Sequence, residues 1–254
     1  MQKIAFFFMS LIALFQAVFG AFAPAKEHVK FIAHRGYSFR YYENTEDAFI
    51  GAAKHGSAGA ETDVRVTLDG VLVCSHNSDV VFEDGTVMEI SEHTYRELSA
   101  RPLKNTKTTN DVYLCTFERY LEIMAENDMI CFIEFKGKFS DANIRRAFNM
   151  AARIYDLSKC PLQSYNINNL IRAKRLFPDL PVMLTCDEMD ETVQKAFDLG
   201  FAIDMDLHGL TQEIVDQFHN AGLEVGAWTA NTRADVSYCL SLGVDYIESD
   251  VYAK

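Results

Sequence analysis

The chain has 254 residues, 49% hydrophobic and 24% charged, with 13 Gly and 5 Pro. That composition excludes a disordered, collagen-like or small disulfide-stapled protein, and the length admits one large barrel domain or two small domains. Its 36 Asp+Glu against 24 Lys+Arg give a formal net charge of −12; such a surface repels phosphate backbones, and with no Lys/Arg run to form a basic patch, nucleic acid is not an expected partner.

Met1-Gln2-Lys3 precedes an apolar run over residues 4–19, broken only by Ser10 and Gln16, and no charge follows until Lys26. This predicts a secretory signal peptide over residues 1–20, with Val18 and Gly20 as the small residues before a cut ahead of Ala21. The alternative is an uncleaved anchor, for which the apolar run is short. The leader implies a secreted or periplasmic mature chain, residues 21–254, with no stable membrane insertion after cleavage.

Beyond the leader, short apolar runs alternate with amphipathic stretches. Strands are predicted over 29–33, 60–66, 71–76, 130–135, 160–164, 182–186, 201–205, 224–229 and 246–249. Helices are predicted over 45–55, with Ala48, Phe49, Ala52 and Ala53 on one face and Asn44 or Thr45 as cap, and over 116–127. Others are predicted over 166–177, 211–221 and 233–242, ended by Pro178, Gly222 and Gly243.

The alternation predicts a parallel sheet with helices outside it. Nine strands exceed an eight-stranded barrel by one, and Asp69-Gly70 between alternating apolar runs accounts for the surplus. That pair is a strong hairpin signal, so the run 71–76 returns antiparallel and leaves the ring. The expected fold is α/β: a single (β/α)8 TIM barrel with a β-hairpin and a small insertion, residues 77–128, over the active-site mouth. A two-residue loop would set Asp63 opposite His76. The six cysteines form no CxxC pair and have no zinc spacing. Export permits disulfides, but buried thiols are the preferred reading.

Chemistry in such barrels sits at the C-terminal strand ends. His34 and Arg35 follow the first strand; Glu61 and Asp63, two apart, share one side of the second; Glu134 and Lys136 end the third; the hairpin brings His76. Glu61, Asp63 and Glu134 make an oxygen-rich site suited to one divalent cation, Ca²⁺ or Mg²⁺, and without one they could not all ionise. His34 and His76 suit proton transfer near neutral pH, and Arg35 and Lys136 suit phosphoryl oxygens. The implied reaction is displacement at phosphorus. Asp204, Asp206 and His208 form a rival metal cluster or a set of rim polar groups. Glu43 is placed to steady Arg35.

At these residues the chain resembles the glycerophosphodiester phosphodiesterase family. The matching text runs His34-Arg35-Gly36, Glu43-Asn44-Thr45, Glu61-Thr62-Asp63-Val64, Asp69-Gly70, His76, Glu134 and Lys136, Gln163-Ser164-Tyr165, Trp228-Thr229-Ala230-Asn231 and Gly243-Val244-Asp245. The resemblance implies that His34 and His76 are the acid/base pair and that Glu61, Asp63 and Glu134 bind the cation. It also implies that Arg35 and Lys136 hold phosphate and that Trp228 lines the substrate pocket. The implied substrates are small glycerophosphodiesters such as glycerophosphocholine, hydrolysed to glycerol 3-phosphate and an alcohol. The attacking group is the neighbouring glycerol hydroxyl or a histidine. Four places depart from the family pattern: Tyr42 stands for proline, Asn77 for the aspartate after the second histidine, Tyr165 for phenylalanine and Ser249 for threonine. Phospholipase-type cleavage of an intact lipid headgroup and a non-catalytic phosphodiester-binding protein are the alternatives.

Overall fold

The computed structural model describes residues 29–253, so the leader expected over 1–20 lies outside the described residues. The first half contains β1 (Lys30–Ala33), α1 (Glu46–His55), β2 (Gly59–Val66), β3 (Leu72–Cys74), β4 (Asp79–Val81), β5 (Val87–Glu89), α2 (Tyr95–Leu98) and α3 (Phe117–Glu126). Then come β6 (Ile130–Phe135), α4 (Asp141–Ile154), β7 (Leu162–Ser164), α5 (Ile167–Leu176), β8 (Val182–Cys186) and α6 (Glu191–Asp198). The chain finishes with β9 (Ala202–Asp206), α7 (Gln212–Asn220), β10 (Val225–Trp228), α8 (Arg233–Leu242) and β11 (Tyr246–Ser249). Strands β1, β2, β6, β7, β8, β9, β10 and β11 pair in parallel, and β1 closes the ring by pairing with both β2 and β11. This is the expected barrel, with β3 antiparallel on β2 and outside the ring.

Local chemistry starts each outer helix. Thr45, Thr116, Ser140, Asn166, Asp190, Thr211 and Thr232 each accept a backbone N–H of the first turn, satisfying donors that the helix cannot. Two of these helices, α4 and α6, lie where the sequence reading names none. Their density of charged and amide residues masks the apolar face, Ile144, Ala147, Phe148 and Ala151 in α4, that each packs inward.

The hairpin differs from expectation by one residue. The observed pairs are Val64 with Cys74, Arg65 with Val73 and Val66 with Leu72, which sets Asp63 toward Ser75 rather than His76; the Ser75 N–H donates to the Asp63 carbonyl at 2.8 Å. The loop holds three residues, Leu68-Asp69-Gly70, because Gly70 takes the left-handed conformation (φ 81°) that makes a bulged turn. His76 still reaches the site. The strand ends at Cys74, and the Arg65 guanidinium holds the His76 carbonyl at 3.1 Å from Nε, directing the chain over the rim.

The region 77–128 is not one unit. Val80, Phe82, Ile90, Leu98, Leu103 and Leu114 form a small apolar core of their own with Val73, around the β4–β5 ribbon. The helix α3 instead belongs to the barrel's outer layer, packed between α1 and α4. Its buried Tyr120 hydroxyl donates to the carbonyls of Ala60 in β2 (2.8 Å) and Phe132 in β6 (3.3 Å). The insertion proper therefore ends before Thr116.

Strand alternation sorts the barrel into two zones. Residues pointing outward join the main core beneath the helices. Inside, Ile32, Phe132, Met183 and Tyr246 fill the lower end as a separate apolar cluster. The next inward positions are polar: Glu61, Glu134, Gln163, Asp204 and Glu248, all buried. All six cysteines are buried free thiols.

Candidate active site

The turn after β1 is built for close approach. Arg35 (φ 57°) and Gly36 (φ 77°) are both left-handed, and a Cβ at Gly36 would lie 2.7 Å from the Ala48 backbone. This turn aims the Arg35 N–H at Glu61 Oε2 (2.8 Å) and leaves the His34 ring beside Asp250, with His34 Nδ1 2.8 Å from Asp250 Oδ1. The Ser38 hydroxyl also donates to Asp250 Oδ1 (2.8 Å), and the Asn231 amide donates to Asp250 Oδ2 (2.6 Å). Burial opposes the Asp250 charge, but these donors outweigh it and hold the carboxyl well below the usual carboxylate range. An ionised Asp250 that accepts from Nδ1–H fixes the tautomer and leaves His34 Nε2 for substrate.

Glu61 and Asp63 come from β2 and Glu134 from β6, and one carboxylate oxygen from each falls within 4.8 Å of the others. Glu61 Oε1 is buried with no hydrogen-bond partner among the described residues. Asp63 Oδ2 accepts from the Asn44 amide (2.8 Å), while Asp63 Oδ1 and Glu134 Oε2 share Lys136 Nζ at 3.0 and 2.9 Å. Asn44, itself left-handed (φ 57°), also accepts from the Thr62 hydroxyl and the Asp63 N–H. Thr45 is thus the helix cap and Asn44 a site residue. Glu43 holds Arg35 Nη1 at 3.1 Å, as expected.

The electrostatics follow from burial and crowding. Burial, with repulsion from Asp63, Glu248 and Glu134, pushes the Glu61 carboxyl well above its ordinary range. Burial also raises Glu134, only partly offset by Lys136. For Asp63, burial is outweighed by Lys136, Arg35 and His76, so its carboxyl is held low. Burial lowers His76, whose Nδ1 lies 3.1 Å from the neutral Asn77 Oδ1. A crowded carboxylate trio with an unpartnered buried oxygen fits a divalent cation, whose positive charge would relieve the repulsion.

The resulting cavity, about 90 Å³, is lined by His34, Arg35, His76, Glu134, Lys136 and Trp228, with Glu61 and Asp63 packed below. All eight predicted residues converge. The rival cluster disperses: Asp204 is buried inside the barrel, Asp206 accepts the His208 N–H within a turn, and His208 is exposed. Asp204 and Glu248 instead share the Gln163 amide, at 2.9 Å to each, with both carboxyls driven up mainly by burial. The sequence assigned no role to Asp250, Asn231 or Glu248 and gave Asn44 only a helix-capping one. Strand parity could have found Glu248, which lies two residues after the inward Tyr246 on the same strand.

The family model described as "Glycerophosphoryl diester phosphodiesterase family" matches residues 34–254. A glycerophosphodiester phosphodiesterase of Bacillus altitudinis is 25% identical over 230 residues, 87% of this chain and 94% of that one. The crystal structure of a glycerophosphodiester phosphodiesterase from Parabacteroides distasonis is similar with a TM-score of 0.71 at 26% identity, covering 87% of this chain and 92% of that chain. An Oleispira antarctica phosphodiesterase, solved in complex with its product sn-glycerol-3-phosphate, shares the fold with a TM-score of 0.77 at 20% identity over 87% of this chain and 92% of that chain.

Proposed function

The chain belongs to the glycerophosphoryl diester phosphodiesterase family, and on that premise we propose that it hydrolyses glycerophosphodiesters to glycerol 3-phosphate and an alcohol. The observation that carries this reading is the convergence of three carboxylates and two imidazoles on one cavity, with Glu61 Oε1 buried and unpartnered. Glu61, Asp63 and Glu134 would hold one Ca²⁺ or Mg²⁺. When bound, that cation supplies positive charge against the charge that builds on the phosphoryl oxygens.

The protein's own groups do the rest. Arg35 and Lys136 bind the phosphate as fixed cations, each stabilised in its charged form, against burial, by neighbouring carboxylates, Asp63 first. His34, oriented by Asp250, moves a proton at Nε2. His76, kept neutral by burial, is the second proton-transfer group, so one imidazole accepts from the attacking hydroxyl while the other donates to the leaving oxygen. The apolar run over residues 4–19, read as a leader, supports export, and a mature mass beginning at Ala21 tests it.

The assay is release of glycerol 3-phosphate from glycerophosphocholine, with and without a chelator. Turnover should be lost in chelator and fall at least about 10²-fold in His34→Ala and Glu61→Ala; unchanged turnover in both variants overturns the assignment. Exposed Phe39 beside the cleft, with Val87 and Tyr113 in the insertion, favours a second reading, cleavage at a lipid surface. Activity on phosphatidylcholine vesicles without activity on the soluble diester would establish that one.

A further inference from the structure

The cavity opens in two directions of opposite electrostatic character. On the His34 side, a mouth of about 450 Å³ presents Arg35 and Lys107. Its carboxylates are already engaged, Glu43 with Arg35 and Asp250 with His34, Ser38 and Asn231. On the other side, past Tyr165, a basin of about 200 Å³ is lined by Asp187, Glu188 and Asp190 and by no Lys, Arg or His. Asp190 is committed to the start of α6 and Asp187 accepts the Tyr165 hydroxyl (2.8 Å), whereas Glu188 has no ion-pair partner among the described residues.

Two further observations point to a ligand there. Thr185 lines both the cavity and the basin; it is 6% exposed, and its hydroxyl has no hydrogen-bond partner among the described residues. A buried, unsatisfied hydroxyl at a passage is costly unless something that passes through satisfies it. At the same passage the rings of Tyr165 and Trp228 stand edge to face, centroids 6.2 Å apart at 72°, and make an aromatic corner. The Trp228 Nε1–H is anchored on the Asp204 carbonyl (3.1 Å), which fixes one wall.

We infer that this corner and the basin behind it form the subsite for the leaving alcohol, and that the alcohol it takes bears a positive charge on nitrogen. Aromatic faces with carboxylates behind them attract an ammonium group, a quaternary one most of all because it has no N–H to satisfy. The Thr185 hydroxyl donates to the ester oxygen on the headgroup side, and the uncharged glycerol lies toward Arg35 and Lys107. The inference rests on the hydrolysis proposed above and adds its direction and its charge selectivity.

The test compares glycerophosphocholine with the 3,3-dimethylbutyl ester, the carbon isostere of the choline ester with the same shape and no charge. In the unaltered enzyme, kcat/KM for the choline ester should exceed that for the isostere by about tenfold, mostly through KM. Glu188→Gln together with Asp187→Asn should bring the ratio to within about threefold of unity. Equal turnover of both esters by the unaltered enzyme, or a ratio that survives the double substitution, overturns the headgroup assignment alone. Hydrolysis of neither ester overturns the proposed function and this inference with it.

Discussion

His34 and His76 stand in unequal surroundings, and the inequality sets their chemistry. The two Asp250 oxygens accept from three side-chain donors, on His34, Ser38 and Asn231. An asparagine has one acceptor oxygen and cannot serve all three. Asp250→Asn should therefore lower kcat by about 10²-fold or more while KM changes less than about twofold, read from initial rates on glycerophosphocholine. Among the described residues, His76 has only the Asn77 amide beside Nδ1. A carboxylate there favours imidazolium, so Asn77→Asp should move the His76 inflection of the kcat–pH profile upward; a profile that shifts down or stays put counts against His76 as a proton-transfer group. Seven of the eight converging residues were legible from their places on strand ends and on the hairpin, whereas Trp228 came only from the family resemblance. Asp250 and Asn44 were not, since a lone acid after a strand and an amide before a helix read as ordinary rim and cap chemistry until the fold places them against His34 and Asp63.

At the scale of elements, the turn after β1 does the positioning. Gly36 combines a left-handed backbone with a backbone wall at 2.7 Å, so Gly36→Ala meets strain and overlap together. A loss of about 2 kcal/mol or more is expected, seen as a Tm lower by about 4–8 °C in a thermal scan, with activity falling as the Arg35 N–H is drawn off Glu61. The strand–helix alternation and the closed ring were readable from apolar periodicity, because that pattern has to repeat for each unit to bury its face. The hairpin register was misread by one residue, since Asp69-Gly70 serves a three-residue bulged turn as well as a two-residue one, and only the pairing of Thr67 with Val71 decides. The helix α3 reads as part of the insertion because it follows that segment directly in sequence, and only its packing between α1 and α4 assigns it to the barrel's outer layer.

Across the whole molecule, the barrel trades an apolar upper interior for a stack of carboxylates. Glu61, Asp204 and Glu248 are all driven up, chiefly by burial, so the folded state holds protons that the unfolded chain has released above about pH 4–5. A raised folded pKa means stability that is present at low pH and lost as pH climbs through it. In chelator, Tm should fall as pH rises above the ordinary carboxylate range; a rise would contradict the protonated interior. Adding Ca²⁺ or Mg²⁺ at a fixed concentration, about 100 times its Kd at pH 7, should restore about 2.7 kcal/mol there and more at higher pH, because the ligands must be deprotonated. The ring is sealed where β1 meets β11, and His34 finds its carboxylate 216 residues further along the chain. A ribosome must therefore deliver nearly the entire polypeptide before Asp250 can orient His34, so a phosphodiesterase working through that pair, as proposed, would stay silent throughout its own synthesis and switch on only at closure.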